Sequence, residues 1–176
     1  MSTSKVSVQL YTVRELLTED TVGTLKRIAE IGFTQVEPFA FLTFGDALRQ
    51  GLAEAGLSAP TTHQGFIGGD LDEVFGAAKE LGVQTVIDPF VAPERWQTAE
   101  DVAQIAEQLN AAAEVAARHG VRVGYHNHAH ELESTIEGTT ALEFFAGKLA
   151  PEVVLEVDTY WVAVGGVVPS IVLSSS

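Results

Sequence analysis

Arg118-His119-Gly120-Val121-Arg122-Val123-Gly124-Tyr125-His126-Asn127-His128 is the stretch whose reading decides the fold. It closes an amphipathic segment, breaks it at Gly120, and opens an apolar run rich in β-branched residues. A glycine just past a helix accepts the left-handed conformation that other residues resist, so it turns the chain into the next element at little cost. The same junction occurs at Ile31-Gly32-Phe33, Ala55-Gly56-Leu57 and Leu81-Gly82-Val83. Repeated helix-to-strand junctions about one βα unit apart predict an alternating α/β chain.

The segments between the junctions agree. Val22, Leu25, Ile28 and Ala29 form one helical stripe, and Leu71, Val74, Phe75, Ala78 and Leu81 form another. A third helix is expected after Thr98, whose hydroxyl can cap it with Asp101 at the third helical position; it runs through Val102, Ile105, Leu109, Ala112 and Ala116. Strands are expected near 6–11, 34–37, 60–63, 84–87, 121–126 and 153–158, which gives about six βα units. Strict alternation demands a parallel sheet with right-handed crossovers, either a closed (β/α) barrel or an open doubly wound sheet. The first βα turn, Gln9-Leu10-Tyr11-Thr12-Val13-Arg14, has neither a G-x-G-x-x-G nor a P-loop pattern. Polar residues collect at the strand C-terminal ends (Gln9, Tyr11, Glu37, His63, Asp88, His126, His128, Asp158), where a barrel places its site. The barrel is the expected fold.

Composition narrows the partners. With 176 residues, 46% of them apolar, one domain with a real core is expected. Ten Lys and Arg against twenty-four Asp and Glu leave a charge of −14, which repels a phosphate backbone, so nucleic acid is not expected as a partner. The sequence has no apolar run of membrane-spanning length, and Met1 to Lys5 lack the features of a signal peptide, so no membrane partner and a cytoplasmic location are expected. There is no cysteine, so any metal must be held by His, Asp and Glu.

The densest chemistry lies in Gly124-Tyr125-His126-Asn127-His128-Ala129-His130-Glu131. Alternation along a strand puts Gly124, His126 and His128 on the barrel side and Tyr125 and Asn127 on the other, with His126 the best-placed ligand. The competing reading is a set of surface-loop histidines without partners. Leu155-Glu156-Val157-Asp158-Thr159-Tyr160-Trp161 ends the sixth strand with two carboxylates, of which only one is expected to face inward. Asp158, nearer the strand end, is preferred for a divalent ion, and Glu156 is expected against polar partners or the helix layer. Asp158 could instead cap the next turn. Trp161 and Tyr160 fit either sugar stacking or simple packing. His63 and Glu37 each stand alone at a strand end and gain weight only by converging with the others.

Val8-Gln9-Leu10-Tyr11-Thr12-Val13-Arg14-Glu15, Tyr125-His126-Asn127-His128 with Glu131, and Leu155-Glu156-Val157-Asp158-Thr159-Tyr160-Trp161 together resemble the sugar phosphate isomerase/epimerase family with a xylose isomerase-like TIM barrel. The resemblance implies a divalent ion (Mn, Mg, Zn or Co) at the C-terminal mouth and a sugar or sugar phosphate substrate. The implied chemistry is proton transfer beside a carbonyl, a first step that a dehydratase or keto-glycoside lyase would share. Asp158 matches the family's sixth-strand aspartate. At the fifth strand either His126 replaces the family's glutamate or Glu131 reaches back to the ion, so both are candidate metal and catalytic residues. Gln9, Tyr11, Glu37, His63, Asn127, His128 and Trp161 are the candidate substrate contacts. An apurinic endonuclease of the same fold would need a basic face, which the charge of −14 opposes. The resemblance covers residues 1–166 as a partial barrel, and 167–176 read as an atypical tail. Lacking strands seven and eight, this chain is expected to have impaired activity and sheet edges open to self-association.

Overall fold

The computed structural model describes residues 6–168. Each junction glycine caps a helix in the left-handed region, with φ of 114° at Gly32, 66° at Gly56, 82° at Gly82 and 76° at Gly120. The first half of the chain runs β1 (Ser7–Gln9), α1 (Arg14–Glu19), α2 (Thr21–Ile31), β2 (Gln35–Glu37), α3 (Phe41–Ala55), β3 (Thr61–His63), α4 (Leu71–Leu81) and β4 (Thr85–Asp88). The second half runs α5 (Ala99–His119), β5 (Arg122–His126), α6 (His130–Glu133), β6 (Thr135–Ile136), β7 (Thr139–Thr140), α7 (Ala141–Ala146), β8 (Val154–Glu156) and α8 (Thr159–Val164).

Two parallel ladders, β1-β2 and β3-β4-β5-β8, account for the six expected strands. They join where Val36 N–H donates to Ser58 O at 3.0 Å, His63 N–H to Pro38 O at 2.8 Å and Ala40 N–H to His63 O at 2.8 Å. The strands therefore follow one another in space in their chain order. A doubly wound sheet reverses its order at a switch point; a barrel does not. The fold is that of a (β/α) barrel, present in part. Among the described residues, the outer edges of β1 and β8 have no ladder partner.

Alternation sorts the side chains. Val36, Val86, Val123 and Tyr125 lie in one hydrophobic core with Leu25, Phe75, Ile105, Leu109 and Ala116 of the helices. Gly124 points into the barrel, where a Cβ would come within 2.6 Å of Ile87 Cδ1 and of the Val154 carbonyl, so no larger residue fits without moving β8. Thr98 caps α5 as expected, accepting from Asp101 N at 3.1 Å.

The strands are shorter than the sequence suggested, because polar side chains end them. Gln9 Oε1 accepts from Tyr11 N at 2.7 Å and turns the chain into a 3₁₀ turn at Leu10–Val13. Asp158 opens α8 instead of extending β8. The small β6–β7 hairpin and α7 are additions; α7 carries a capping box in which Thr140 and Glu143 satisfy each other's backbone. No helix among the described residues is long and apolar enough to cross a membrane. Of the expected atypical tail, Val167 packs on the core, and the part from Pro169 onward lies outside the described residues.

Candidate active site at the C-terminal mouth

The ends of β1, β2, β3, β5 and β8 bring Gln9, Glu37, His63, His126 and Glu156 into one hydrogen-bonded group. His63 Nε2 lies 2.6 Å from Glu156 Oε1 and 3.3 Å from Glu37 Oε1. His126 Nδ1 lies 3.1 Å from the same Glu156 oxygen. Gln9 Nε2 donates to Glu37 Oε1 at 3.2 Å, and the Thr61 hydroxyl donates to the other Glu37 oxygen. The donor atoms of His63, His126 and Glu156 all fall within 4.8 Å of one another, close enough to share an ion.

The expectation that only one of the two carboxylates of β8 faces inward is corrected here. His126 meets both, Glu156 through Nδ1 at 3.1 Å and Asp158 through Nε2 at 3.9 Å, so both carboxylates turn toward the mouth. Glu156, expected on polar partners or the helix layer, is the hub of the group. Asp158 does two things at once: its Oδ1 accepts from Tyr160 N at 2.9 Å and Trp161 N at 3.1 Å, capping α8, while its Oδ2 lies 3.9 Å from His126 Nε2.

The electrostatics follow from crowding. Burial, and then the charge of Glu156, push Glu37 above the usual carboxylate range against the pull of His63 and Thr61. Burial acts on Glu156 in the same direction, but hydrogen bonds from His126 and His63 overcome it and hold the carboxyl well below that range. Burial would lower His63, yet the bond to Glu156 and the charges of Glu37 and Glu156 raise it. His128 moves the other way: burial, with His126 and His130 nearby, outweighs the pull of Asp158 and lowers it to about 4.

Above this group lies a cavity of about 550 Å³, within the usual range for small-molecule sites. Gln9, Tyr11, His63, His126, His128, Asp158 and Trp161 line it, as do Phe39 and Phe90, which the sequence reading did not single out. Two polar atoms of lining residues, Gln64 Oε1 and His128 Nδ1, are buried without a hydrogen-bond partner among the described residues.

Glu131 and Asn127 do not join this group. Glu131 is fully buried on the opposite side of β5; it accepts from the Tyr125 hydroxyl at 2.7 Å and from His128 N at 2.8 Å, with His130 Nε2 at 3.2 Å. Both its oxygens are taken, so it does not reach the mouth. Asn127 is buried too, and its Oδ1 accepts from Asp158 N at 2.8 Å while its Nδ2 reaches Asp158 O at 3.4 Å. Asp88 is likewise a fastening, accepting from the backbone N–H groups of Phe66, Ile67 and Phe90.

Solved structures share the architecture. A sugar phosphate isomerase/epimerase from Parabacteroides distasonis matches with a TM-score of 0.79 and 23% identity, over 99% of this chain and 73% of its own. A second one from the same organism matches with a TM-score of 0.76 and 18% identity, over 97% and 74%. A xylose isomerase-like TIM barrel protein from Mycobacterium smegmatis, solved in complex with magnesium, matches with a TM-score of 0.53 and 15% identity, over 77% and 55%. At these identities the likeness establishes the fold. No curated protein sequence matches. Residues 25–167 match the family model for the xylose isomerase-like TIM barrel, and with strand order, winding and polar mouth in agreement, the chain belongs to that family.

Proposed function

We propose that this site serves metal-dependent isomerisation or epimerisation of a sugar, by moving a proton on the carbon beside a carbonyl. The observation that carries this reading is the meeting of His63, His126, Glu156 and Asp158 at one mouth of the parallel sheet. A carboxylate can only accept, so the His126 Nδ1–H donates to Glu156 and leaves Nε2 facing Asp158 Oδ2, 3.9 Å away. A cation between these two atoms would join them through the Nε2 lone pair. Two donors at about 2.0–2.2 Å from one ion can stand that far apart, and the carboxylate behind the imidazole is the usual way a metal-bound histidine is oriented.

The donor chemistry fits. Imidazole with carboxylate suits Mn, Zn or Co better than Mg, which prefers an all-oxygen shell. When bound, such an ion polarises a carbonyl and stabilises the negative charge that develops on its oxygen. His63 lines the cavity and its Nε2 meets both Glu37 and Glu156, so these three groups can share a proton beside the cavity. Gln9, Tyr11, His128 and Trp161 are then substrate contacts, and Asn127 acts by holding Asp158. In this reading Glu131 is neither ligand nor base. We place the protein in the cytoplasm and expect it to self-associate through the edges of β1 and β8, which have no ladder partner among the described residues; sedimentation tests this.

Titrating Mn²⁺ by electron paramagnetic resonance tests the site. Asp158→Ala should abolish specific binding, and Glu156→Gln should weaken it about 10- to 100-fold, as loss of an orienting partner does. If Glu156→Gln abolishes binding and Asp158→Ala leaves it unchanged, the ion sits instead among His63, His126 and Glu156. Wild-type affinity in both variants, with no interconversion of aldose and ketose by the unsubstituted chain, would sink the reading.

A further inference from the structure

We infer that Glu131, which does not line the cavity, is a positioning residue for it: each of its two oxygens fixes one of the two loops that bring Phe90 and His128 to the cavity wall. This deepens the proposed function and rests on it for what the cavity does. One oxygen, Oε2, accepts from the backbone N–H of His128 at 2.8 Å, in the loop after β5. The other, Oε1, accepts from the Tyr125 hydroxyl at 2.7 Å, and that hydroxyl oxygen accepts in turn from Val91 N–H at 3.3 Å, in the loop after β4. Val91 is tied a second time through its carbonyl, which accepts from Trp96 Nε1 at 3.2 Å and from His130 Nε2 at 3.1 Å. Phe90, next to Val91, and His128 both line the cavity, where their rings meet edge to face with centres 5.7 Å apart.

The carboxylate sets the direction of the bonds in this group. Its oxygens only accept, so the Tyr125 proton is committed to Glu131 and the lone pairs of the phenol are left for Val91. Burial, then the charge of Glu131 and the bond to it, push the Tyr125 hydroxyl well above the usual phenol range, so it stays a donor. His130 carries a proton on Nε2, because the two groups that this atom meets, Val91 O and Glu131 Oε1 at 3.2 Å, are both acceptors. Sealing a charge in a core is expensive, and an apolar side chain of similar size would pack there at less cost. What an apolar side chain lacks, and a glutamine has only once, is an acceptor oxygen for each loop. The carboxylate is what the two loops share, and the spacing of Phe90 and His128 follows from it.

Two substitutions separate the two oxygens, read by amide hydrogen exchange and by the fluorine resonances of 5-fluorotryptophan in the full chain. Tyr125→Phe removes the link to Val91 and spares the bond to His128. Exchange at Val91 should rise about tenfold or more, with His128 within about twofold of the unsubstituted chain. Glu131→Gln should do the reverse. Its one oxygen stays with the Tyr125 and His130 donors and its NH₂ faces the His128 N–H, so exchange at His128 rises about tenfold or more while Val91 stays protected. The Trp161 resonance, identified by its loss in Trp161→Phe, should then shift, because that indole meets the His128 ring at 5.6 Å. A role confined to core stability would raise exchange at both amides together in both variants and leave the Trp161 resonance in place. Either result overturns the inference, as does unchanged exchange in both variants. Should Glu131→Gln not fold, Tyr125→Phe decides alone: Val91 released with His128 held supports the tie between the loops, and any other pattern overturns it. The Mn²⁺ titration of the unsubstituted chain is read separately, so its failure strikes the proposed function and leaves the amide pattern to decide on Glu131.

Discussion

Two glutamates flank β5, one on each side, and the chain treats them differently. Glu131, on the helix side, is sealed: a tyrosine hydroxyl and a backbone amide hold its two oxygens, and the His130 N–H is shared between it and the Val91 carbonyl. Around it Trp96, Tyr125 and Phe145 pack with ring centres 5.2 to 5.4 Å apart. Glu156, on the barrel side, is met by two imidazoles that can themselves change protonation, and its side chain keeps 32% exposure. A carboxylate locked among fixed donors contributes rigidity, whereas one shared between titratable groups beside a cavity is free to do chemistry. Burial alone would have pointed to the wrong one.

Four substitutions can break or sharpen this contrast. The largest effect belongs to the sealed side: Trp96→Ala should cost about 4 kcal/mol in chemical denaturation, since the indole is fully buried and its N–H donates to Val91 O. Glu131→Ala should cost about 3 kcal/mol, because it strands the Tyr125 hydroxyl and the His128 amide inside the core. Glu156→Ala, by contrast, should lose no more than about 1 kcal/mol while its Mn²⁺ affinity falls about 10- to 100-fold; a variant as unstable as Glu131→Ala would erase the distinction between the two sides. The smallest effect concerns the cavity wall, where Ala40 holds φ 41° and ψ 45°, a conformation that favours glycine. Ala40→Gly relieves that strain at some entropic cost and should gain about 0.5 kcal/mol, seen as a rise of about 1–2 °C in the melting temperature.

The architecture was legible because βα junctions write themselves in glycine: Gly32, Gly56, Gly82 and Gly120 each mark a place where only a residue without a side chain turns the corner cheaply. The positions of the mouth residues followed from strand ends. Which carboxylate would be the hub did not follow, because Asp158 opens α8 past the end of β8, beyond the reach of strand alternation. The role of Glu131 was hidden for a different reason. Its partners are Tyr125, six positions away, and a backbone amide, and nothing in composition separates a carboxylate that reaches a mouth from one that folds back behind a strand. The Thr140–Glu143 capping box was readable in the sequence and passed over, since α7 is only six residues long.

Asn127 carries a further consequence. Beyond the last ladder bonds of β5 and β8 the two backbones part, and the Asn127 amide bridges the gap by accepting from the N–H of Asp158 and reaching back toward its carbonyl. One side chain thus acts as an extra rung past the end of the sheet. Mechanically, the end of β5, with His126 and His128, is tied to Asp158 at the head of α8, which resists independent motion of the two sides of the 3.9 Å gap between His126 and Asp158. Cutting the clamp with Asn127→Ala would leave every candidate ligand in place and let that gap breathe, so precision at the mouth depends on an amide that never faces it.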